Sequence, residues 1–359
     1  MDTKISVIVP TYNNEDYLQY AMDSVINQTF GFENIELILV DDKSTDKTSE
    51  IINGYAKKYD NIVPIFRDVN SGSPNTPRND GLKVAKSKYI MFLDHDDEYA
   101  PEMCEKMYDS IESNDLDCLH CRIKLFTKEN DKIIYIHSEN EVHNQFFDND
   151  FDSSVRIFEK NEINLNNMAT NLFKGIFKKS FLYENNICFP DDDVGAEDFL
   201  FVTMVYTFVN KYGLLNYTGY FWKIHPDSYG HSLKFVLKSF KGIYLAYLFS
   251  KKHDDNEVIK FALKLVSDLV IFFVNGNNLS YDIKKQLVLQ YWDLFESFND
   301  HIDDYHFSVF YKFLMKILTY NKKITLFLIK AYTLLHLWKI IKNPIIQKYL
   351  TGKVNKNRR

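Results

Sequence analysis

The sequence has little cysteine for its length, with 4 cysteines among 359 residues. This scarcity excludes a small scaffold stabilised by disulfides. Cys118 and Cys121 form a C-x-x-C pair, but no second pair follows, as a zinc site would require. In a strand, residues three apart also point to opposite faces. We therefore expect reduced, partly buried thiols rather than a metal site.

The C-terminal tail lacks acidic residues. Residues 305–359 contain twelve of the 43 basic residues and none of the 49 acidic ones. Residues 1–304 therefore have a formal net charge of −18, from 31 basic and 49 acidic residues. An acidic body with a basic, aromatic tail indicates an anionic partner for the tail. Membrane phospholipid is the first candidate and nucleic acid the second. We expect a membrane surface and no nucleic acid.

The tail contains one long apolar segment, Ile324–Ile341, interrupted by Lys330 and Lys339. Each lysine costs ~2.5–3.5 kcal/mol at a bilayer centre, which argues against a membrane span. A helix lying on the membrane, anchored by Tyr332 and Trp338, fits this composition. Packing in a helical accessory or oligomerisation domain explains it equally well. A third interpretation is that the basic surface binds a polyanionic acceptor.

The N-terminus shows no signal peptide, because Met1–Lys4 leads directly into Ile5–Val9, which is too short for the apolar core of one. We therefore expect a cytoplasmic protein. Together with the basic tail, this favours a position at the inner face of the plasma membrane.

The first hundred residues alternate between strand and helix patterns. A helical apolar stripe runs over Tyr17–Ile26, and Asn70–Asn79 has the composition of a loop. The predicted strands are Ile5–Val9, Glu36–Val40, Ile62–Phe66 and Tyr89–Leu93. This order predicts an α/β fold, with a parallel sheet covered by helices on both faces.

The second part of the chain is less regular. Probable strands cover Leu119–Phe126 and Ile133–His137, and a helix covers Phe199–Val209, while the chain beyond Ser232 is mainly helical. We expect one catalytic domain over residues 1–232, divided into a donor half (1–117) and an acceptor half (118–232). A helical C-terminal region, residues 233–359, follows.

Polar clusters follow three of the predicted strands, at Thr11–Asn14, Asp41–Asp42 and Asp94–Asp97. Ligands of open α/β sheets bind beyond the carboxyl ends of the strands, so these clusters predict one crevice. Asp94 and Asp96, one residue apart, can bind a hard cation such as Mg²⁺ or Mn²⁺ together with diphosphate oxygens. A D-x-D motif is weak evidence alone, because acidic turns are common.

Five ordered motifs together resemble the family 2 glycosyltransferases of GT-A fold. They are Ser6–Asn13, Ser24–Thr29, Leu39–Asp46, Asn79–Leu82 and Phe92–Asp97. The form of Asn70–Leu82, with Pro77, is similar in particular to the bacterial wall-teichoic-acid glycosyltransferases. The resemblance implies a GT-A (Rossmann-like) mixed sheet and a nucleotide-sugar donor.

The resemblance also implies a nucleotide site. Pro10 and Tyr12 would flank the base, with the Tyr12 ring stacked on it; otherwise Tyr12 is a turn aromatic. Asp42 would accept the N3–H of uracil, which favours a UDP-sugar. Asn70 and Arg78 would lie near the base and phosphates, since an arginine fork suits phosphate oxygens. In the empty enzyme Arg78 would instead form a salt bridge to Asp94 or Asp96, an interpretation that is compatible with the phosphate role.

The same resemblance implies a Mn²⁺ or Mg²⁺ cofactor. Asp96 would bind the cation directly, and Asp94 would contact the ribose or the cation through water. His95 should point the other way, and we interpret it as structural. His231 is a further candidate ligand and fits slightly better than His225, although either is equally well a surface histidine.

A second acidic pair, Glu197 and Asp198, precedes the helix at Phe199. In inverting members of the family, an Asp in such a pair is the general base, a role worth ~10²–10⁴-fold in rate. We assign it to Asp198, with Glu197 as the fallback. Helix capping is the alternative, because carboxylates are stabilised at helix N-termini.

These assignments predict an inverting hexosyl- or N-acetylhexosaminyltransferase. The acceptor would be a hydroxyl of a cell-surface polysaccharide, a teichoic-acid-like polymer or a lipid-linked glycan, and homo-oligomers are possible. A catalytically silent scaffold that binds nucleotide-sugar or polymer is one alternative. A nucleotidyl- or phosphotransferase is another, disfavoured because no Gly-rich phosphate loop follows the first strand.

Overall fold

The computed structural model describes residues 2–129, 132–135, 155–163, 172–190, 194–224, 233–260, 285–286 and 289–290. His225, His231 and the basic tail lie outside the described residues, so their predicted roles stay predictions. The chain forms two compact units, Met1–Gly242 and Ile243–Arg359. The expected domain limits at residues 117 and 232 also stay predictions.

Ten strands of the described residues form one mixed sheet. They are β1 Ile5–Thr11, β2 Ile35–Asp41, β3 Ile62–Phe66, β4 Tyr89–Phe92, β5 Glu98–Tyr99, β6 Cys118–Glu129, β7 Lys132–Tyr135, β8 Val155–Glu159, β9 Gly175–Lys178 and β10 Lys211–Lys223. The helices are α1 Leu18–Ile26, α2 Thr48–Ala56, α3 Asn75–Val84, α4 Met103–Asn114, α5 Lys179–Glu184, α6 Glu197–Phe208 and α7 Leu233–Lys252.

The sheet order is β3-β2-β1-β4-β9-β6-β10-β5, with β7 paired to β6 and β8 to β10. The first four strands are parallel, as the alternation of strands and helices predicted. β9 is antiparallel to both β4 and β6, and it joins this parallel half to β6 and β10. The α/β class and the mixed sheet are thus confirmed.

Helices cover both faces of the sheet, because successive strand residues point to opposite sides and both sets are apolar. On one face, buried residues of α1, α2 and α4 form a continuous core with Val7, Leu37 and Met91. On the other face, α6 packs its Phe201 ring against Phe92 of β4 at 5.7 Å. Buried aliphatic and aromatic side chains of this kind each contribute about 1.5–3 kcal/mol.

Helix α3 begins earlier than the sequence indicated. The stretch Asn70–Asn79 was expected to be a loop, but the helix starts at Asn75 and contains Pro77 in its first turn. The N–H groups of a first turn have no partner within the helix, so a proline costs nothing there. The helix also lies close to β1, since a Cβ on Gly81 would be 2.5 Å from the Ile8 side chain.

A second close approach involves α7. A Cβ added to Gly242, in the middle of this helix, would lie 1.9 Å from the carbonyl oxygen of Gly195. Glycine in a helix interior is less favourable than alanine by about 1 kcal/mol. Direct contact between the helix and the backbone that precedes α6 explains why glycine is present at this position.

The cysteines and the membrane-spanning potential of the helices were both the subject of expectations from the sequence. Cys104, Cys118 and Cys121 are buried and Cys188 is exposed, and none of the four forms a disulfide, which includes the C-x-x-C pair. In the part of the chain that the structure describes, no helix is both long and apolar enough to cross a membrane.

Candidate active site

One cavity of about 630 Å³ lies at the carboxyl ends of the parallel strands. Its walls come from both the expected donor half and the expected acceptor half. The nominated residues that line it are Pro10, Tyr12, Asp42, Asn70, Arg78, Asp94, Asp96 and Asp198. His231 lies outside the described residues. The structure therefore brings the described candidates together, while their individual roles stay predictions.

The end of β2 provides the carboxylate of Asp42. Its oxygens accept hydrogen bonds from the Ser71 backbone N–H at 2.9 Å, from the Ser71 hydroxyl at 2.8 Å and from Arg67. Asn70 donates to the Asp42 carbonyl oxygen at 2.9 Å and accepts from the Gly72 N–H at 2.8 Å. Gly72 has φ +77°, a conformation that favours glycine. The loop thus holds Asp42 in one orientation.

Arg67 is a site residue that the sequence analysis missed. It follows β3 directly and binds both Asp42 and Asp80, the latter at 3.0 Å from Nε. Its position after a parallel strand, like that of Asp42 after β2, is the signal that would have indicated it. Arg67 provides a positive charge beside Asp42, the residue that is expected to bind the base of the nucleotide.

The turn after β1 presents Tyr12, whose side chain remains 44 % exposed. The next residue, Asn13, has φ 46°, and its side-chain oxygen accepts the Thr45 N–H at 2.7 Å. Asx side chains tolerate this left-handed conformation. The turn is thereby fixed, and the accessible Tyr12 ring at the cavity wall can stack on a planar base.

Asp94–Asp97 form a closed turn, in which the Asp97 N–H donates to the Asp94 carbonyl at 3.1 Å. The His95 ring is hydrogen-bonded through Nδ1 to the Pro10 carbonyl at 3.0 Å, and the His95 carbonyl accepts from Asn14 at 2.8 Å. The His95 ring is therefore held at the end of β1, but His95 also lines the cavity, so its expected structural role stays a prediction. Asp94 and Asp96 line the cavity.

The other side of this turn is bound to β10. The Tyr220 hydroxyl donates to Asp97 at 2.5 Å and accepts the Asp94 N–H at 3.4 Å. The Lys223 N–H donates to the second oxygen of Asp97 at 2.8 Å. Burial raises the pKa of Asp97 well above its usual value, and the nearby carboxylates of Asp96 and Asp94 add to the rise.

Arg78 lies at the centre of the site, with only 2 % of its side chain exposed. Its guanidinium binds Asp94 and Glu197, each at 2.9 Å, and lies 5.0 Å and 5.2 Å from the ring centres of Phe173 and Phe189. The salt bridge to Asp94 is the alternative that the sequence left open. Arg78 connects the acidic turn after β4 to the start of α6.

Asp198 lies in the first turn of α6 and lines the cavity. Ala196, at the N-cap, has the left-handed φ of 55°, and the Phe199 N–H donates to the Asp198 carboxylate at 2.8 Å. Burial raises the pKa of Asp198 to about 7, and the charge of Glu197 adds to the rise. A carboxylate with this pKa is a competent proton acceptor near neutral pH.

The charges of the cavity suit a bound cation. Its lining contains six carboxylates, of Asp42, Asp94, Asp96, Asp97, Glu197 and Asp198, but one arginine. A diphosphate would be repelled by this set unless positive charge accompanied it. Among the described residues, no three His, Cys, Asp or Glu side chains form a metal cluster. Proteins usually bind Mg²⁺ through one or two carboxylates, while phosphate oxygens of the substrate and water complete the coordination.

Beyond the carboxylates, the cavity has an apolar wall made of Ile123, Phe173 and Trp222. The sequence analysis did not identify these residues. Aromatic faces bind the C–H faces of sugars and polyols, so this wall can hold an uncharged part of an acceptor.

The fold and the cavity define a protein of the GT-A class. Residues 6–173 match the family described as glycosyl transferase family 2. This stretch of the chain is thus a family 2 glycosyltransferase domain, which confirms the resemblance seen in its motifs.

Relatives with described activities share this domain. The chain is 35% identical over 234 residues to a poly(ribitol-phosphate) beta-glucosyltransferase of Bacillus spizizenii, a match that covers 65% of this chain and 34% of the relative. It is 30% identical over 317 residues to the minor teichoic acid biosynthesis protein GgaB of Bacillus subtilis, covering 88% and 32%. The chain thus spans about a third of the length of these relatives.

Solved structures share the fold. TarS 1–349 of S. aureus in complex with UDP matches with a TM-score of 0.70 and 22% identity, covering 93% of this chain and 92% of that chain. The complex of the same protein with UDP-GlcNAc has a TM-score of 0.66 and 21% identity, covering 97% and 91%.

Proposed function

We propose that the chain is an inverting glycosyltransferase, which transfers a hexose or N-acetylhexosamine from a UDP-sugar to a hydroxyl of a polyol-phosphate polymer. The observation that carries this proposal is the single cavity shared by Asp42, Asp96 and Asp198. These carboxylates come from three separate stretches of the chain, and each suits a different part of the reaction. The name of one relative, a poly(ribitol-phosphate) beta-glucosyltransferase, supports the sugar and acceptor classes, and the TarS complexes with UDP and UDP-GlcNAc support the donor class.

The donor half binds the nucleotide. Tyr12 stacks on the base, and Asp42 accepts the N3–H of uracil, a donor that cytosine lacks. Three donor groups already bond to the Asp42 carboxylate, and the Ser71 N–H contacts both of its oxygens, so the N3–H of uracil would share or replace one of these bonds. The geometry of the Asn70–Gly72 loop keeps that carboxylate in place, which favours uridine nucleotides.

The chemical step uses Asp198 as general base. Its carboxylate takes the proton from the acceptor hydroxyl while that oxygen forms a bond to the anomeric carbon. The bond from the anomeric carbon to the diphosphate breaks, and its electron pair leaves on UDP. Because attack and departure occur on opposite faces of the sugar, the anomeric configuration is inverted. The raised pKa of Asp198 matches this role.

Asp94 and Asp96 would hold a divalent cation, Mg²⁺ or Mn²⁺, with the diphosphate. A bound cation supplies charge that stabilises the departing diphosphate. Arg78 neutralises part of the charge of Asp94 and keeps the acidic turn beside α6. His231 stays a candidate for a further ligand. The protein would act in the cytoplasm, at the inner face of the membrane, where UDP-sugars are available.

The decisive experiment combines a donor screen with an Asp198→Asn variant. We expect UDP release from a UDP-sugar in the presence of poly(ribitol phosphate) and Mn²⁺, with transfer of the sugar to the polymer. Asp198→Asn should lower kcat by about 10²–10⁴-fold, because the amide cannot accept the proton. UDP affinity by calorimetry should change little. Asp109→Asn, on the exposed face of α4, serves as the control.

Undiminished transfer by Asp198→Asn would remove this residue from the base role. UDP binding by the unaltered chain without turnover of any UDP-sugar would instead favour the silent scaffold.

A further inference from the structure

We propose that Tyr220 is a positioning residue, which holds the Asp94–Asp97 turn so that the carboxylates of Asp94 and Asp96 meet the cation and diphosphate. This inference rests on the proposed function. It assigns to β10, a strand of the expected acceptor half, control over the geometry of the donor site.

The Tyr220 hydroxyl forms hydrogen bonds to both ends of the Asp94–Asp97 turn. The Tyr220 O–H donates to the Asp97 carboxylate at 2.5 Å, and the same oxygen accepts the Asp94 N–H at 3.4 Å. It therefore binds the first and the last residue of the four-residue turn. The closing bond from the Asp97 N–H to the Asp94 carbonyl completes this arrangement. Removal of the hydroxyl would release Asp94 from β10 and would leave Asp97 bound to that strand through the Lys223 N–H.

The remaining anchors hold other parts of the turn. His95 is bound to β1 through its ring and to Asn14 through its carbonyl. The Lys223 N–H holds the other oxygen of Asp97. No other bond to the Asp94 N–H is found in the described part of the chain. Asp94 therefore depends on Tyr220 for the direction of its backbone, while Arg78 holds its carboxylate.

Tyr220 is a rigid support for this task. Its side chain is fully buried, and its ring lies 5.9 Å from that of Tyr99 and 6.0 Å from that of Phe173. Its strand is paired with β6 on one side and β5 on the other. Ligand groups held by such packed elements keep the geometry that metal and phosphate binding need, whereas a shift of about 1 Å can be costly.

The test compares Tyr220→Phe with Tyr99→Phe. Both changes remove a buried hydroxyl from the same pair of rings, but the Tyr99 hydroxyl donates to the Phe92 carbonyl at 2.8 Å and does not bond to the acidic turn. The readout is UDP affinity by calorimetry, with and without Mn²⁺. A Tyr220→Phe change should weaken Mn²⁺-dependent UDP binding about tenfold, because the hydrogen bonds that fix the acidic turn to this side chain are lost.

Binding of UDP without Mn²⁺ should change less than twofold in Tyr220→Phe, and Tyr99→Phe should match the unaltered chain under both conditions. An equal loss with and without Mn²⁺, or equal losses in the two variants, would indicate a general structural role and overturn the proposal. Unchanged Mn²⁺-dependent affinity in Tyr220→Phe would also overturn it. If the unaltered chain binds no UDP, the proposed function fails and this inference fails with it.

Asp97→Asn provides a second approach if Tyr220→Phe does not fold. In this variant one of the two oxygens, which accept separately from Tyr220 and from the Lys223 N–H, becomes an NH2 donor, so the two bonds cannot both keep their present geometry. The same selective loss of Mn²⁺-dependent UDP affinity is expected, and its absence in a folded variant would contradict the proposal.

Discussion

Two arginines in this molecule each form salt bridges to two carboxylates, but one arginine is partly exposed and the other is buried. Arg67 bridges Asp42 and Asp80 with 20 % of its side chain exposed. Arg78 bridges Asp94 and Glu197 with 2 % exposed, between two phenylalanine rings. The partners of Arg67 lie within 25 residues of it, whereas Glu197 is 119 residues from Arg78. The first bridge is therefore local, and the second joins distant parts of the chain.

The difference in burial changes what each bridge contributes. A buried ion pair loses much of its attraction to desolvation, but removal of one partner leaves an uncompensated charge in the interior. Arg67 is itself partly exposed, and its buried partner Asp42 would keep the hydrogen bonds from Ser71 if Arg67 were removed. The bridge of Arg78 should thus be required for the fold, while that of Arg67 should mainly orient Asp42.

The largest expected effect is that of Arg78→Ala. This change would leave the partly buried carboxylates of Asp94 and Glu197 without their shared cation, so we expect a loss of about 3 kcal/mol in the free energy of unfolding, the lower end of the range for a broken buried pair. Urea unfolding followed by circular dichroism would measure it. A loss below about 1 kcal/mol would show that water enters the site, and the contrast with Arg67 would then disappear.

A smaller effect is expected from Glu197→Gln, which preserves an acceptor for Arg78 but removes a charge beside Asp198. Activity of the unaltered chain should rise with pH through about 7, because Asp198 must be deprotonated to act as base. Without the Glu197 charge the pKa of Asp198 should fall, so the rise should move about one unit towards lower pH. Profiles of kcat against pH test this. An unmoved profile would exclude Asp198 as the titrating group.

The raised pKa of Asp198 also affects stability, with the opposite sign from an ordinary salt-bridged carboxylate. Between its unfolded value near 3.8 and about 7, the folded chain holds a proton that the unfolded chain releases. The contribution of Asp198 to stability is therefore fully present below pH 3.8 and is lost as the pH rises through about 7.

The smallest effect is expected from Arg67→Ala, at about 1 kcal/mol in the free energy of unfolding, together with weaker UDP binding as Asp42 loses its partner. Lys83→Ala is the matched control. Lys83 also pairs with Asp80, but 72 % of its side chain is exposed, so its removal should change stability by less than about 0.5 kcal/mol. If the two variants behave alike in UDP calorimetry, Arg67 has no role in holding Asp42.

Local patterns predicted the donor side of the fold well. The strands β1 to β4 are short apolar runs that end at polar residues, and a sheet buried on both faces imposes that pattern. The start of α3 was missed, because Pro77 and its polar neighbours have loop composition although a first helical turn tolerates them.

The acceptor side was less predictable, since its contacts are non-local. β10 contains Gly213 and Gly219, which weaken the strand pattern, and its pairing with β6 and β8 depends on residues far away in sequence. The bond of Tyr220 to Asp97 spans 123 residues. The motifs nominated residues that share a cavity and allowed a salt bridge from Arg78 to Asp94, but they contained no information about its second partner, Glu197.

The contact between Gly242 and Gly195 has a consequence for protein engineering. Gly242 is the last residue of the first compact unit. A hybrid chain with any residue other than glycine at this position would bring a side chain against the Gly195 carbonyl, three residues before Asp198. An exchanged C-terminal region should therefore leave Gly242 in place, and because α7 continues to Lys252 the junction belongs beyond the end of that helix.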